Sequence, residues 1–160
     1  MVQHLQIQHD PPQRGYHENA LFYQLMKLYP TYVKVDRKKG NYYPDILMNI
    51  KDYAYIDIEV DEPYEFKTKR ETHYKDSSDE ERNDYFLEEG WFVVRFAETQ
   101  IIHHLEECVM IVQDLVQFIE TGDASSLVHL RDLVNKIRVK HCTKEEARLM
   151  AIENFRENEL

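Results

Sequence analysis

The chain has 160 residues, a hydrophobic fraction of 42% and a formal net charge of −10. This length and composition predict one ordered domain with an appended helical piece, and they exclude a disordered or repeat chain. The negative charge disfavours a protein that binds nucleic acid strongly on its own, because neutralisation of phosphates supplies much of that affinity.

The first elements are an irregular arm, a helix and a short strand. Residues 1–14 carry two prolines and many Gln and His side chains, which is typical of an arm. Apolar residues at helical spacing predict a helix over 16–29, and Pro30 ends it. Glu18 lies in the first turn, where an acidic side chain complements the helix dipole. Residues 31–35 are predicted to form a short strand.

The stretch 53–61 predicts a strand with one apolar and one acidic face. Its residues alternate, as side chains do in an extended strand. Ionised carboxylates at i and i+2 lie about 7 Å apart and repel by roughly 2 kcal/mol at an effective dielectric near 20. A cation would remove this penalty. The apolar face carries Ile56, Ile58 and Val60, and the other face carries Tyr55, Asp57, Glu59 and Asp61.

A second strand over 43–50 precedes the acidic strand, with Asp45 near its start. If the two strands pair through the short turn at 49–52, Asp45 comes beside Glu59. A convergent pair of carboxylates is what a hard cation such as Mg²⁺ or Mn²⁺ requires. Asp57 is assigned to solvent or to a structural hydrogen bond.

Two basic segments flank the acidic strand pair, one within 33–39 and one within 66–75. Their cations are candidates for contacts with phosphate groups of DNA. The second segment belongs to a long polar loop that also contains His73, which is either a surface histidine or a catalytic one. The candidate contact residues are Arg37, Lys38, Lys39, Lys67, Lys69 and Arg70.

The remaining sequence predicts a helix, a buried strand and further helices. A capping box opens a helix over 79–89, and the apolar segment 91–96 predicts a strand reached by a crossover, which favours an α/β sheet. Arg95 in this strand is expected to pair with a helix carboxylate, Asp79 or Asp84. Helices follow after about 104, and their apolar stripes suggest a surface for a larger protein partner or for a second copy.

Targeting signals are absent from the sequence as it stands. No apolar run approaches the length of a membrane span, and residues 1–5 lack a signal-peptide pattern. Cys108 and Cys142 lack Cys-x-x-Cys spacing, which predicts two reduced thiols. We therefore expect a cytoplasmic protein with no membrane partner.

The order of these features resembles the PD-(D/E)xK nuclease superfamily, in particular its branch of very-short-patch mismatch endonucleases and proteins of the DUF559 type. The resemblance covers about 16–102, over half the chain. The features that carry it are the helix with Glu18, Pro44-Asp45, Glu59-Val60-Asp61, His73, Asp79 with Arg82, and Gly90 to Phe96.

This resemblance implies a restriction-endonuclease-like α/β fold of mixed α+β type, a four-stranded mixed sheet flanked by helices. The arm would span 1–14, the nuclease-like domain 15–103 and a C-terminal helical extension 104–160. A divalent metal, Mg²⁺ or Mn²⁺, would bind Asp45 and Glu59 and promote hydrolysis of a phosphodiester bond. Glu18 would reach the site through metal-bound water, and His73 would transfer a proton or orient a water.

One position departs from the superfamily pattern. Asp61 stands where the superfamily has Lys, two residues after the Glu, and we expect Asp61→Lys to be tolerated or activating. The resemblance implies a metal-dependent DNA endonuclease. Such an enzyme could be a subunit of a bacterial repair complex or of a defence complex, including antiviral defence. The alternative is a catalytically inactive nuclease-like module for protein interaction or DNA positioning.

Overall fold

The computed structural model describes residues 15–35, 38–39, 42–64, 69, 88–139 and 143–153. Within these residues the chain is mixed α/β, as predicted, with strands and helices close to the expected positions. The predicted arm at 1–14 and nearly all of the predicted helix at 79–89 lie outside them. The elements are α1 (Tyr16–Leu28), β1 (Val33–Lys34), β2 (Ile46–Ile50), β3 (Ala54–Asp61), β4 (Phe92–Ala97), α2 (Glu98–Thr121), α3 (Ser125–Lys136) and α4 (Lys144–Ile152).

The four strands form one mixed sheet in the order β1-β2-β3-β4. The β1–β2 and β2–β3 pairs are antiparallel, and the β3–β4 pair is parallel. A parallel pair needs a crossover between its strands, which agrees with the long segment between β3 and β4. The predicted four-stranded mixed sheet is therefore confirmed.

A tight hairpin turn fixes the register of β2 against β3. The Tyr53 N–H donates to the Ile50 carbonyl at 3.1 Å, and the two residues between them, Lys51 and Asp52, have φ values of 49° and 63°. Two left-handed residues in succession match the twist of the flanking strands. The Asn49 side chain accepts a hydrogen bond from the Asp52 N–H at 3.0 Å, which holds this turn closed without a glycine.

The hydrophobic core lies between one face of the sheet and the helices α1 and α2. Residues at every second position of β2 and β3 point to this face, as the alternation predicts. Helices α1 and α2 also pack against each other over it. The most buried members of the core are Leu21, Leu25, Ile46, Met48, Ile50, Ile56, Ile58, Cys108 and Val112.

Helix α2 runs across the expected boundary between 103 and 104. Its backbone leaves helical geometry at His104, with φ −141° and ψ 39°, so the longer part of the helix does begin near the predicted position. Cys108 and Val112 in this part belong to the same buried cluster as the sheet. Much of the apolar stripe of α2 is thus core of the α/β fold.

The last two described helices are α3 and α4. Helix α3 packs on α2 and contributes Leu133 and Ile137 to the core. The N-cap of helix α4 is Thr143, whose side chain accepts a hydrogen bond from the Glu146 N–H in a capping box. Among the described residues, no helix is both long and apolar enough to cross a membrane.

Cys108 is buried, and burial raises the pKa of its thiol to about 12. A protonated, enclosed thiol is unreactive. Cys108 is not part of a disulfide, whereas Cys142 lies outside the described residues.

Candidate functional site

Asp45 and Glu59 are held together across the β2–β3 pair. Ile46 lies opposite Ile58, so Asp45, one residue earlier, comes opposite Glu59 on the same face. The Glu59 Oε1 atom accepts a hydrogen bond from the Asp45 N–H at 3.3 Å, and the Asp45 Oδ2 atom accepts one from the Val60 N–H at 2.9 Å. Each carboxylate is anchored on the backbone of the other's strand, so the two converge.

The acidic face of β3 is buried. Asp57 is 0% exposed and Glu59 is 2% exposed. The expectation that Asp57 could meet solvent is therefore wrong. Leu47 of β2 and Val93 of β4 lie in register with Asp57 on its two sides. Burial disfavours an ionised carboxylate, so keeping acids here costs stability that an apolar strand would not lose.

Asp61 binds Arg95 of β4. The Arg95 Nε donates to Asp61 Oδ2 at 3.1 Å, and Arg95 Nη2 donates to Asp61 Oδ1. This two-pronged geometry is the strong form of an ion pair. The expected pairing of Arg95 with Asp79 or Asp84 stays a prediction, because both acids lie outside the described residues. The described partner of Arg95 is Asp61 on the neighbouring strand.

The Asp61–Arg95 pair also changes what a substitution at Asp61 would do. Lys at this position would remove the partner of Arg95 and place a second cation beside it. The expectation that Asp61→Lys is tolerated rested on the sequence pattern alone. With the ion pair in place, this substitution should destabilise the protein.

Glu18 lies in the first turn of helix α1, whose start is close to the end of β3. Its Oε2 atom accepts a hydrogen bond from the Gly15 N–H at 3.1 Å, which is the capping role that the helix-dipole reading anticipated. A Cβ atom on Gly15 would lie 2.6 Å from Glu62 Oε1, so a larger residue there would require the Glu62 side chain to move. This close approach brings the start of α1 against the residue that follows Asp61. Glu18 itself is buried.

The basic candidates that the structure describes lie against aromatic rings. The Nζ atom of Lys38 is 5.8 Å from the centre of the Tyr43 ring, and that of Lys39 is 5.6 Å from the Trp91 ring. The remaining described candidate, Lys69, has its Nζ atom 5.1 Å from the Tyr64 ring. These three candidate lysines thus lie over aromatic rings, as cations commonly do. Arg37, Lys67, Arg70 and His73 lie outside the described residues.

Sequence reasoning missed an aromatic cluster on the same face of the sheet. Trp91 stacks on Tyr55 with ring centres 4.8 Å apart, and Tyr42, Leu47 and Val93 pack around them. Tyr55 lies four residues before Glu59, a separation of about 13 Å along a strand. The signal available in the sequence was the position of Tyr55 on the acidic face. The face therefore has a basic, aromatic end and an acidic end.

The donor set is compatible with a divalent ion. Among the described residues, no group of three or more His, Cys, Asp or Glu side chains is arranged to hold a metal. Asp45 and Glu59 supply a pair of carboxylates, and Mg²⁺ commonly binds one or two carboxylates together with waters and substrate phosphates. The chemistry of this pair therefore fits Mg²⁺ or Mn²⁺.

Comparisons with protein-family models, with curated proteins and with solved structures found no match to this chain.

Proposed function

We propose that the chain is a metal-dependent DNA endonuclease that hydrolyses phosphodiester bonds on a restriction-endonuclease-like fold. The observation that carries the proposal is the convergence of Asp45 and Glu59, joined by the 3.3 Å and 2.9 Å hydrogen bonds to each other's strand. Glu59 is 2% exposed, and a divalent ion bound by Asp45 and Glu59 would offset the cost of placing their carboxylates in the sheet.

Each residue of the pair has a defined part in this proposal. A divalent ion bound there would supply positive charge to a phosphate and lower the pKa of a bound water. Asp45 and Glu59 hold the ion, and their backbone hydrogen bonds fix the direction of each carboxylate. Glu18 caps the start of α1 through the Gly15 N–H, and we propose that it reaches the ion through metal-bound water. His73 stays the candidate for proton transfer.

Lys39 is the described cation that we assign to a phosphate contact with DNA. Its Nζ atom lies 5.6 Å from the centre of the Trp91 ring, at the aromatic end of the sheet face. The net charge of −10 opposes DNA binding at long range. We therefore propose that the endonuclease works as a subunit of a bacterial defence or repair complex, in which a basic partner supplies the missing affinity.

Cleavage of supercoiled plasmid and of single-stranded DNA, measured under single-turnover conditions with Mg²⁺ and with Mn²⁺, tests the proposal. We expect metal-dependent cleavage that Glu59→Gln abolishes, because this change keeps the side-chain shape and removes the charge that binds the ion. Glu145→Gln on α4 is a matched control, since Glu145 has its side chain 69% exposed, and it should leave cleavage unchanged.

Metal binding can be measured separately from cleavage. Calorimetry should detect Mn²⁺ binding to the wild type and none to the Asp45→Ala, Glu59→Ala double variant. Equal Mn²⁺ binding by both proteins would reject the site, and cleavage that survives Glu59→Gln would place the chemistry elsewhere.

A second candidate function is an inactive nuclease-like module for protein interaction or DNA positioning. One observation favours it, an apolar groove of about 630 Å³ between β4, α2 and α3, lined by Leu115, Leu130 and Ile137 among others. Grooves of this kind are common at sites of interaction. Retained DNA binding by the wild type, without cleavage under any metal, would favour this candidate.

A further inference from the structure

The apolar groove beside β4 follows the outer edge of that strand. Every residue from Trp91 to Phe96 lines it. Successive side chains of a strand point to opposite faces, so a groove that borders the whole run must follow the edge between the two faces. Within the described sheet β4 is the last strand, and it pairs there with β3 alone. The other wall consists of apolar residues of α2 and α3, among them Leu115, Leu130 and Val134.

Strand β4 has the composition of a central strand and the exposure of an edge strand. Phe92, Val93 and Val94 are only half-buried, whereas β3 beside them is buried over most of its length. Aromatic and β-branched residues favour pairing with a further strand. Edge strands are commonly protected by charges, by proline or by being short, and β4 has six residues with Arg95 as its one charged member. Such an edge is a template for a strand of another chain.

The groove is acidic where β4 begins. Glu88 and Glu89 precede the turn into β4 and are exposed. Because β4 is parallel to β3, it begins at the hairpin end of the sheet. Helix α2 ends there too, since the Tyr53 hydroxyl of the hairpin donates to the Ile119 carbonyl at 2.9 Å. The exposed Asp123 follows the end of α2, so these acids surround one end of the groove.

The groove is basic where β4 ends. The Gln100 side chain joins the end of β4 to the end of α3, because it accepts a hydrogen bond from the Ala97 N–H and donates one to the Ile137 carbonyl, both at 2.9 Å. Arg138 follows Ile137 directly and is exposed. The groove therefore carries negative charge at one end and positive charge at the other.

We propose that a second copy of the chain occupies this groove, with β4 of each copy pairing antiparallel about a two-fold axis. In an antiparallel pair the start of one strand lies beside the end of the other. Glu88 and Glu89 of each copy then meet the partner's Arg138, and the two-fold axis repeats this contact. The net charge of −10 opposes self-association, so burial of apolar surface in the two grooves provides the affinity.

Face and charge together select the register of the pair. Residues directly opposite each other in antiparallel strands share a face of the sheet, so one residue of β4 must oppose its own copy. Arg95 in that place would set two like charges against each other, which is destabilising. Val94 lies near the middle of β4 and gives the longest pairing. Phe92 then comes opposite the partner's Phe96 on the core face, where both belong to the packing of the core.

The first test is the oligomeric state, measured by sedimentation equilibrium over a range of protein concentrations without metal or DNA. We expect a dimer that Val134→Lys weakens about tenfold or more, because a lysine would enter an apolar groove in both copies. Val128→Lys is the matched control and should change nothing. Val134 lines the groove and is 39% exposed, whereas Val128 is 51% exposed and lies about 120° away around the same helix.

The second test is disulfide cross-linking in a Cys142→Ser background. Val94→Cys sets two thiols directly opposite each other, where Cβ atoms of a cross-strand pair are about 4.5–5.5 Å apart, so mild oxidation should link two copies. Val93→Cys is the control. It comes opposite the partner's Arg95, so its two thiols stay outside the range of about 7 Å between Cα atoms that a disulfide can span, and it should not link.

Charge reversal gives a third measurement of the same interface. Arg138→Glu should weaken the dimer by about two- to fivefold at low salt, the range for an exposed pair, and adding Glu89→Arg should restore it. If circular dichroism shows that Val134→Lys is unfolded, Arg138→Glu takes its place in the first test.

The proposal requires both a dimer that Val134→Lys weakens and a link through Val94→Cys. A monomeric wild type throughout the concentration range would overturn it and leave the groove to a different protein. A dimer for which either result fails would overturn the pairing of β4. These outcomes do not depend on the proposed function, because no measurement involves DNA or metal.

Discussion

Strand β3 has two buried faces of opposite character. On the core face Ile56 and Ile58 are 0% exposed, and on the other face Asp57 and Glu59 are 0% and 2% exposed. Both faces are equally removed from water. The first gains stability from burial, at about 1.5–3 kcal/mol for a large aliphatic side chain, whereas the second loses several kcal/mol for each ionised group that leaves water.

The difference separates a face whose burial stabilises the fold from a face that the proposed function assigns to chemistry. An apolar residue at Glu59 would remove the acceptor of the Asp45 N–H, and the proposed function gives a second reason to keep an acid there. The ion pair of Asp61 with Arg95 moderates the penalty at one end of the face. The predictions below separate the two faces by their effects on stability.

The largest effect is expected on the core face. Ile58→Ala should lower the free energy of unfolding by about 2–5 kcal/mol, because Ile58 lies at the centre of the sheet and a cavity would remain. Urea denaturation followed by circular dichroism measures this loss. The exposed Val128 is 51% accessible, and Val128→Ala should change the same quantity by less than about 0.5 kcal/mol. A loss below about 1 kcal/mol for Ile58→Ala would contradict the assignment of the core.

The next effect is on the acidic face. Arg95→Met should lower the free energy of unfolding by about 2–3 kcal/mol, because Asp61 is left beside Glu59 without its guanidinium. The value lies below the range for fully buried pairs because both side chains keep some solvent contact. A double-mutant cycle with Asp61→Asn isolates the pair, and the double variant should recover part of the loss. Additive losses in the two single variants would show that the two side chains do not interact.

Asp61→Lys tests the same ion pair on the acidic face, and its expected effect on the free energy of unfolding is smaller. We expect a loss of about 1–2 kcal/mol, because a lysine meets Arg95 while Glu59 on the adjacent strand takes over part of the pairing. Thermal denaturation measures it, with Asp61→Asn as the control that removes the charge without adding a cation. If Asp61→Lys is as stable as the wild type or more stable, the expectation from the sequence that this substitution is tolerated would be supported.

The sequence predicted the sheet well because period-two alternation is a local property. Ile56, Ile58 and Val60 fell on the core face as expected, and the short turn at 51–52 set the register that brought Asp45 opposite Glu59. Burial of the other face could not be predicted in this way. A row of Asp57, Glu59 and Asp61 is typical of a solvated surface, and burial depends on what packs over it.

Contacts between distant segments were the other part that the sequence did not reveal. Arg95 could have paired with any acid near it, and its partner depends on the parallel register of β3 and β4, which no local pattern fixes. The helical stripe of α2 was apolar enough for a partner surface or for a core. Its use in the core follows from its packing on α1 and the sheet.

The smallest effect is expected at the hairpin end of the molecule, where charges are exposed and balanced. Glu120 accepts a hydrogen bond from the Tyr32 hydroxyl and pairs with the Lys51 Nζ atom at 3.0 Å. These contacts, the Tyr32 hydrogen bond first, hold the pKa of the Glu120 carboxyl below its ordinary value of 4.5. Exposed pairs contribute little, so Glu120→Gln should cost less than the three changes above.

The pH dependence of that cost identifies its source. Because the pKa of Glu120 is lower in the folded protein, the stabilisation is present above pH 4.5 and is lost as the pH falls through the folded value. The difference in melting temperature between the wild type and Glu120→Gln should therefore be constant from pH 7 to about pH 5 and shrink below it. Tyr32→Phe removes the main donor, so in that background the substitution should matter less at every pH. A difference that persists undiminished to pH 3 would mean that packing of the side chain, and not its charge, stabilises the hairpin end.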